Sequence, residues 1–199
     1  MVNASGDVLT NQHVVAKCSS LVIQSAGAAY PGVLRTQDSA SDLAVVRAAG
    51  LPVKGVARFR VGRMRLGRSI VVVGYPLSTI LGTDLKATTG NISGLSGLGN
   101  NTAFFQLTAP IQPGNSGSPV VDRTGAVVGI VTSKLKEIAA ARKIGTLPQL
   151  INFGVKSRTA RSFLKSGRVA FTVSRRTQES NTVGIVASAS KYTVRVVCN

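Results

Sequence analysis

Gln112-Pro113-Gly114-Asn115-Ser116-Gly117-Ser118-Pro119-Val120-Val121 sets a turn of small residues directly against an apolar run. Ala103 to Leu107 lies upstream and Ala126 to Thr132 downstream, both β-branched or aromatic stretches of strand length. Ser116 therefore sits at a strand-flanked bend. Glycines at 114 and 117 let the backbone turn tightly enough for the Gly114 and Ser116 amides to converge on one oxygen atom. Read alone, Pro-Gly-Asn-Ser-Gly is also an ordinary surface turn. The rest of the chain has to supply partners for the hydroxyl.

A serine hydroxyl is a poor nucleophile near neutral pH unless a base takes its proton and a third group holds that base. His13, in Thr10-Asn11-Gln12-His13-Val14-Val15, is the only imidazole in the sequence and lies at a strand-to-turn junction. Seven acidic residues are available. Asp42, in Ser41-Asp42-Leu43-Ala44-Val45-Val46, stands at the mouth of an apolar strand, where its side chain can face the imidazole. Asp38 belongs to a polar turn and is set aside. Gly94-Leu95-Ser96-Gly97 lacks flanking strands, so Ser96 reads as loop. Position 118 is Ser rather than Gly, which excludes the nucleophile elbow of α/β-hydrolases.

The surrounding pattern is short Val-rich runs punctuated by Gly, Pro, Asn and Asp. Expected strands are Val8–Thr10, Leu21–Ile23, Val33–Arg35, Leu43–Arg47, Ile70–Val73, Leu85–Thr89, Pro119–Val121 and Tyr192–Val197, with a turn at 27–32. Helices are expected from Ser157 to Leu164 and near 182–190. No parallel strand–helix–strand rhythm appears, so the reading is all-β, with two antiparallel barrels meeting near residues 75–80. No apolar run approaches the length of a membrane span. The opening Met1-Val2-Asn3-Ala4-Ser5-Gly6-Asp7 has no signal-peptide character, so either no such peptide exists or the chain has been trimmed or its start misassigned.

With two cysteines and one histidine in 199 residues, no metal site is expected on ligand number, and no cofactor motif is present. Cys18 and Cys198 form a disulfide if the protein is exported, or stay as two buried thiols if it is not. The net charge of +17 favours anionic partners but does not define a reaction. Arg58, Arg60, Arg63, Arg65 and Arg68 alternate with apolar residues, either as a guanidinium-rich sheet face or, the plainer reading, as the solvated surface of a basic protein. Lys134, Lys136, Arg142, Lys143, Arg158, Arg161, Lys165, Arg168, Arg175 and Arg176 add further charge. No nucleic-acid reading motif accompanies them, so specific nucleic-acid binding is not expected.

Thr-Asn-x-His-Val-Val, Asp-Leu-Ala-Val-Val and Gly-Asn-Ser-Gly-Ser-Pro together resemble the three catalytic motifs of bacterial trypsin-like serine peptidases, nearest to the HtrA/Deg-type protease domain. Gly74-Tyr75-Pro76, Thr89-Gly90-Asn91-Ile92-Ser93, Gly129-Ile130-Val131 and Ile151-Asn152-Phe153-Gly154-Val155 extend the likeness over about residues 2–165. The resemblance implies two six-stranded Greek-key barrels of chymotrypsin type, the first lacking its N-terminal strand and so leaving an open edge. It implies residues 1–77 as a barrel with His13 and Asp42, 78–165 as a barrel with Ser116, and 166–199 as an extension packed on this core, too small for a PDZ domain.

By the same resemblance the chain is a serine endopeptidase without a cofactor. Ser116 attacks, His13 is base, Asp42 orients it, and Gly114, Asn115 and Ser116 form the oxyanion hole. Ile130, Val131 and Thr132 are expected to line the substrate cleft, and the absence of a carboxylate before the turn favours small or aliphatic residues before the cut. Asn115 replaces the Asp that in digestive relatives pairs with a freshly cut N-terminus, so activation by such cleavage is not expected. The implied setting is bacterial and extracytoplasmic, periplasmic or secreted, with protein or peptide substrates and an anionic envelope polymer or acidic protein as further partner. The rival expectation is a catalytically impaired member that holds anionic ligands.

Overall fold

The computed structural model describes residues 1–78, 80, 82–133 and 151–199; Lys134, Lys136, Arg142 and Lys143 thus lie outside the described residues. Among the described residues thirteen strands run in chain order: β1 Asp7–Thr10, β2 Leu21–Ser25, β3 Ala28–Asp38, β4 Leu43–Ala48, β5 Arg58–Arg60, β6 Ser69–Gly74, β7 Lys86–Gly94, β8 Phe104–Leu107, β9 Pro119–Asp122, β10 Val127–Thr132, β11 Asn152–Lys156, β12 Thr172–Ser174 and β13 Arg195–Cys198. Three described α-helices accompany them: α1 Gln12–Val15, α2 Ser157–Ser166 and α3 Thr182–Ser190.

The first sheet has the order β1-β4-β3-β2-β13. Its β2–β3 hairpin turns tightly at Ala26 and Gly27, both with positive φ (50° and 80°), which matches the right-handed strand twist. The turn therefore sits ahead of the expected 27–32, and residues 28–32 belong to the long strand β3. Asp7 is fully buried on β1, where Arg47 donates to both its oxygens and Arg35 and Asn3 add further bonds. Burial pushes this carboxyl up, but the Arg47 and Asn3 bonds and the two guanidinium charges outweigh it, leaving the group below its usual 3.8.

The second sheet closes. β11-β8-β7-β6-β9-β10 form a ring through the β10–β11 pairing, and β5 and then β12 add in parallel beyond β10. Closure depends on two glycines. Any Cβ at Gly129 or Gly154 would lie 2.4 or 2.5 Å from the fully buried Phe105 ring, which fills the space between them. Ile70, Val72, Ile92, Leu107, Val120 and Val131 complete that core.

The result is one closed six-stranded barrel and a half-barrel, with three features that differ from expectation. The chain changes sheets between Ala48 and Arg58, well before residues 75–80, because β6 pairs with β7 and β9 rather than with the first sheet. The open edge expected on the first sheet is occupied at β2 by the C-terminal strand β13, in register from Arg195↔Gln24 to Cys198↔Leu21. Alternation explains the fit: Val194 and Val196 pack toward the core while Arg195 reaches Gln24 on the other side. The expected arginine-rich face is also replaced. Only Arg58–Arg60 is strand, and Arg60 and Arg68 turn inward to pair with buried Asp122.

Cys18 and Cys198 form a disulfide spanning a sequence separation of 180 residues, three residues beyond α1. Closing so long a loop removes much unfolded-state freedom. Reduction under native conditions is expected to lower stability by about 2–5 kcal/mol, measured as a drop in unfolding midpoint relative to the oxidised protein and to a Cys18→Ala/Cys198→Ala variant, which should match the reduced form.

Candidate active site

Antiparallel pairing of β1 with β4, in the register Thr10↔Ala44, brings the end of one strand beside the start of the other. The helical turn α1 follows β1 at once and carries His13, while Asp42 immediately precedes β4. Asp42 adopts a left-handed backbone, φ 55°, a conformation that Asp tolerates better than most residues. Its carbonyl accepts from Asn11 Nδ2 at 2.9 Å, fixing the crossing of the two segments.

The Asp42 side chain is fully buried and collects donors from both sheets. His13 Nδ1 lies 2.8 Å from Oδ2 and 3.0 Å from Oδ1, the His13 amide donates to Oδ1 at 3.0 Å, and Thr132 Oγ1 donates to Oδ2 at 2.6 Å. Burial alone would raise this carboxyl, but the bonds from the His13 ring, Thr132 and the His13 amide more than offset it and hold it below its usual range. A charged carboxylate on Nδ1 selects the tautomer whose Nε2 lone pair is free.

Ser116 meets that lone pair, with Oγ 3.1 Å from His13 Nε2. The turn that carries it is set by close backbone approach. A Cβ at Gly117 (φ 83°) would lie 2.7 Å from Thr10 Oγ1, so only glycine lets this loop of the barrel come against β1. Gly117 N donates to the Val131 carbonyl and Val131 N to the Ser118 carbonyl, pinning the loop to β10. Three residues 29 and 74 positions apart in sequence thus form one continuous hydrogen-bonded line.

The expected oxyanion donors divide. The Asn115 amide is consumed inside the turn, donating to the Gln112 carbonyl at 3.0 Å, and its side chain is buried beside Gly74, so Asn115 does not serve as a donor to the cleft. The amides of Gly114, at φ 93°, and Ser116 have no partner among the described residues. Of the residues expected to line the cleft, Ile130 does so. Period-two alternation turns Val131 into the closed-barrel core, and Thr132 spends its hydroxyl on Asp42.

Two residues of this site were absent from the sequence expectation in these roles: Thr132 as a carboxylate partner, and Ser133, whose Oγ stands 3.0 Å from Ser116 Oγ and 3.2 Å from His13 Nε2. Alternation along β10 carries a signal for Thr132, since it shares a face with Ile130. A cleft of about 590 Å³ opens at Ser116 and His13 and is walled by apolar residues including Leu9, Ile111 and Ile130.

Comparison with known proteins gives consistent matches. The family model described as "Trypsin-like peptidase domain" matches residues 1–130. The protein y4bJ of Sinorhizobium fredii is 37% identical over 198 residues, covering 99% of this chain and 31% of its own length. The putative serine protease HhoB of Synechocystis is 33% identical over 143 residues, covering 67% of this chain and 33% of its own. Among solved structures, the HtrA-type protease AlgW with decapeptide superposes with a TM-score of 0.67 at 30% identity, over 84% of this chain and 50% of that one. The chain thus spans about a third of the length of these two curated relatives.

Thr132→Val is expected to destabilise the protein by about 1–3 kcal/mol by leaving a buried carboxylate short of a donor, whereas Thr132→Ser restores most of the loss. The bond favours the charged carboxylate, whose folded-state pKa lies below the unfolded value. The difference should therefore be complete near neutral pH and shrink as pH falls through the folded pKa, which chemical denaturation at several pH values will read.

Proposed function

This chain belongs to the trypsin-like peptidase family, and on that premise we propose that it is a serine endopeptidase in which Ser116 is the nucleophile, His13 the general base and Asp42 the group that orients and electrostatically supports the imidazole. The observation that carries the reading is the unbroken line from Asp42 through His13 to Ser116 at 2.8 and 3.1 Å. In the proposed reaction His13 Nε2 takes the Ser116 proton as Oγ attacks the scissile carbonyl, and the amides of Gly114 and Ser116 receive the developing oxyanion. His13 then hands the proton to the leaving amine, and water hydrolyses the acyl-enzyme by the reverse route.

Small or aliphatic side chains before the cut fit this reading. No carboxylate is among the described residues that line the cleft, and Ile111 and Ile130 give it an apolar wall. An oxidising, extracytoplasmic setting is supported by the Cys18–Cys198 disulfide. An anionic polymer or acidic protein as further partner is supported by the net charge of +17.

Active-site labelling with a fluorophosphonate probe tests the reading. The parent protein should label, Ser116→Ala should not, and His13→Ala should fall by about 10⁴-fold or more in rate. A folded parent that fails to label would overturn the endopeptidase reading and leave the fold as a binding module. In a peptide library, Ala, Val or Ile before the cut is expected, and a dominance of Arg or Lys would reject the aliphatic preference. Retention on heparin should fall with rising salt; retention independent of salt would reject the anionic partner.

A further inference from the structure

Among the described residues, Ser133 is the one that touches both reacting atoms of the proposed pair without a part in the mechanism above. It stands where β10 ends. Thr132 is the last strand residue and the chain bends at Ser133, so two neighbouring side chains, which alternation would send to opposite faces, both reach the His13–Asp42 pair. Thr132 Oγ1 holds the carboxylate at 2.6 Å while Ser133 Oγ meets the far side of the imidazole at 3.2 Å. Ser116 Oγ, Ser133 Oγ and His13 Nε2 form a nearly equilateral triangle with sides of 3.0, 3.1 and 3.2 Å.

The chemistry of this triangle is restrictive. With Nδ1–H donated to Asp42, a neutral imidazole offers one acceptor lone pair at Nε2. Two hydroxyls at equal range cannot both donate to it along good lines. When Ser116 donates to Nε2, Ser133 can place its proton on Ser116 Oγ, occupying one of its two lone pairs and making the oxygen less nucleophilic. When Ser133 donates to Nε2, Ser116 turns its proton toward Ser133 Oγ and is left without its base. Each arrangement leaves Ser116 less ready than it would be with the imidazole to itself.

We propose that Ser133 is a competing hydroxyl that holds the free protein in a resting state by sharing His13 with Ser116, and that it has to yield Nε2 before acyl transfer begins. This inference rests on Ser116 and His13 acting as nucleophile and base. No bond is made or broken by Ser133; only the position of one hydrogen bond changes.

Two measurements test it. Ser133→Ala, and Ser133→Gly as a second hydroxyl-free variant, should label with fluorophosphonate about two- to tenfold faster than the parent, the factor that one net hydrogen bond represents. Ser133→Thr, which keeps the hydroxyl, should stay near the parent. An unchanged or slower rate in both hydroxyl-free variants overturns the proposal, a slower rate pointing instead to a proton relay through Ser133. The second measurement does not need activity. Because His13 is the only histidine, its Nε2 gives a single assignable ¹⁵N resonance. In Ser116→Ala that resonance should keep its hydrogen-bonded position, because Ser133 takes over the lone pair, and it should move only in Ser116→Ala/Ser133→Ala. Identical resonances in the single and double variants reject a Ser133–His13 bond. A parent that fails to label while its resonances behave as expected counts against the endopeptidase reading and not against the shared imidazole.

Discussion

Everything at the candidate site depends on one buried charge. The Asp42 carboxylate is taken out of water entirely, a change that is costly for any ion unless its lone pairs are met by donors of good geometry. Three donors meet it here, two from the turn that follows β1 and one from the end of β10 in the closed barrel. The carboxylate is therefore more than a partner to His13. It is a junction at which the half-barrel and the barrel must agree in position, and a small displacement of either sheet would leave an ion buried and underbonded. The cost of that mismatch is what keeps the imidazole in place.

The opposite side of the half-barrel is secured by other means. Where the β2 edge would offer unpaired backbone groups, β13 covers it, and the Cys18–Cys198 bond ties that strand to the segment just after the His13 turn. Ser19 and Ser20 add further bonds to Asn199. The segment from 167 onward thus adds one strand to each sheet, β12 beside β5 and β13 beside β2. The match to y4bJ runs over 99% of the chain and so takes in this segment, whereas the family model ends at residue 130.

The sequence was most legible where chemistry narrows the choice. A single histidine, few carboxylates and a Gly-flanked serine pointed to His13, Asp42 and Ser116, and the fold brings these three together. Strand-like runs such as Ile70–Val73 and Pro119–Val121 were readable because buried strands leave continuous β-branched stretches. What could not be read was pairing over long distances. Nothing local in Arg195–Cys198 says that it lies beside Leu21–Gln24, and the alternating arginines of 58–68 mimic a sheet face although Asp122 draws two of them into ion pairs. Val131 was misplaced for a simpler reason, a strand treated as one surface when its neighbours face opposite ways, whereas Thr132 shares the face of Ile130 and is taken up by Asp42. Ser133 was invisible because its role depends on a bend at a strand end, and a bend leaves no periodic trace.

The position of β13 also has a consequence for the order in which the molecule can be made. β2 is synthesised early, at residues 21–25, yet its neighbour along the sheet edge arrives only with residues 195–198. A ribosome delivers the three residues of the site long before it delivers the strand that covers the edge of the half-barrel. A nascent chain that has not yet reached residue 195 carries all three residues of the site while the β2 edge of the half-barrel is still bare. Arrival of β13 is thus a late assembly step for the half-barrel that carries His13, with the sulfur–sulfur bond recording that it has taken place.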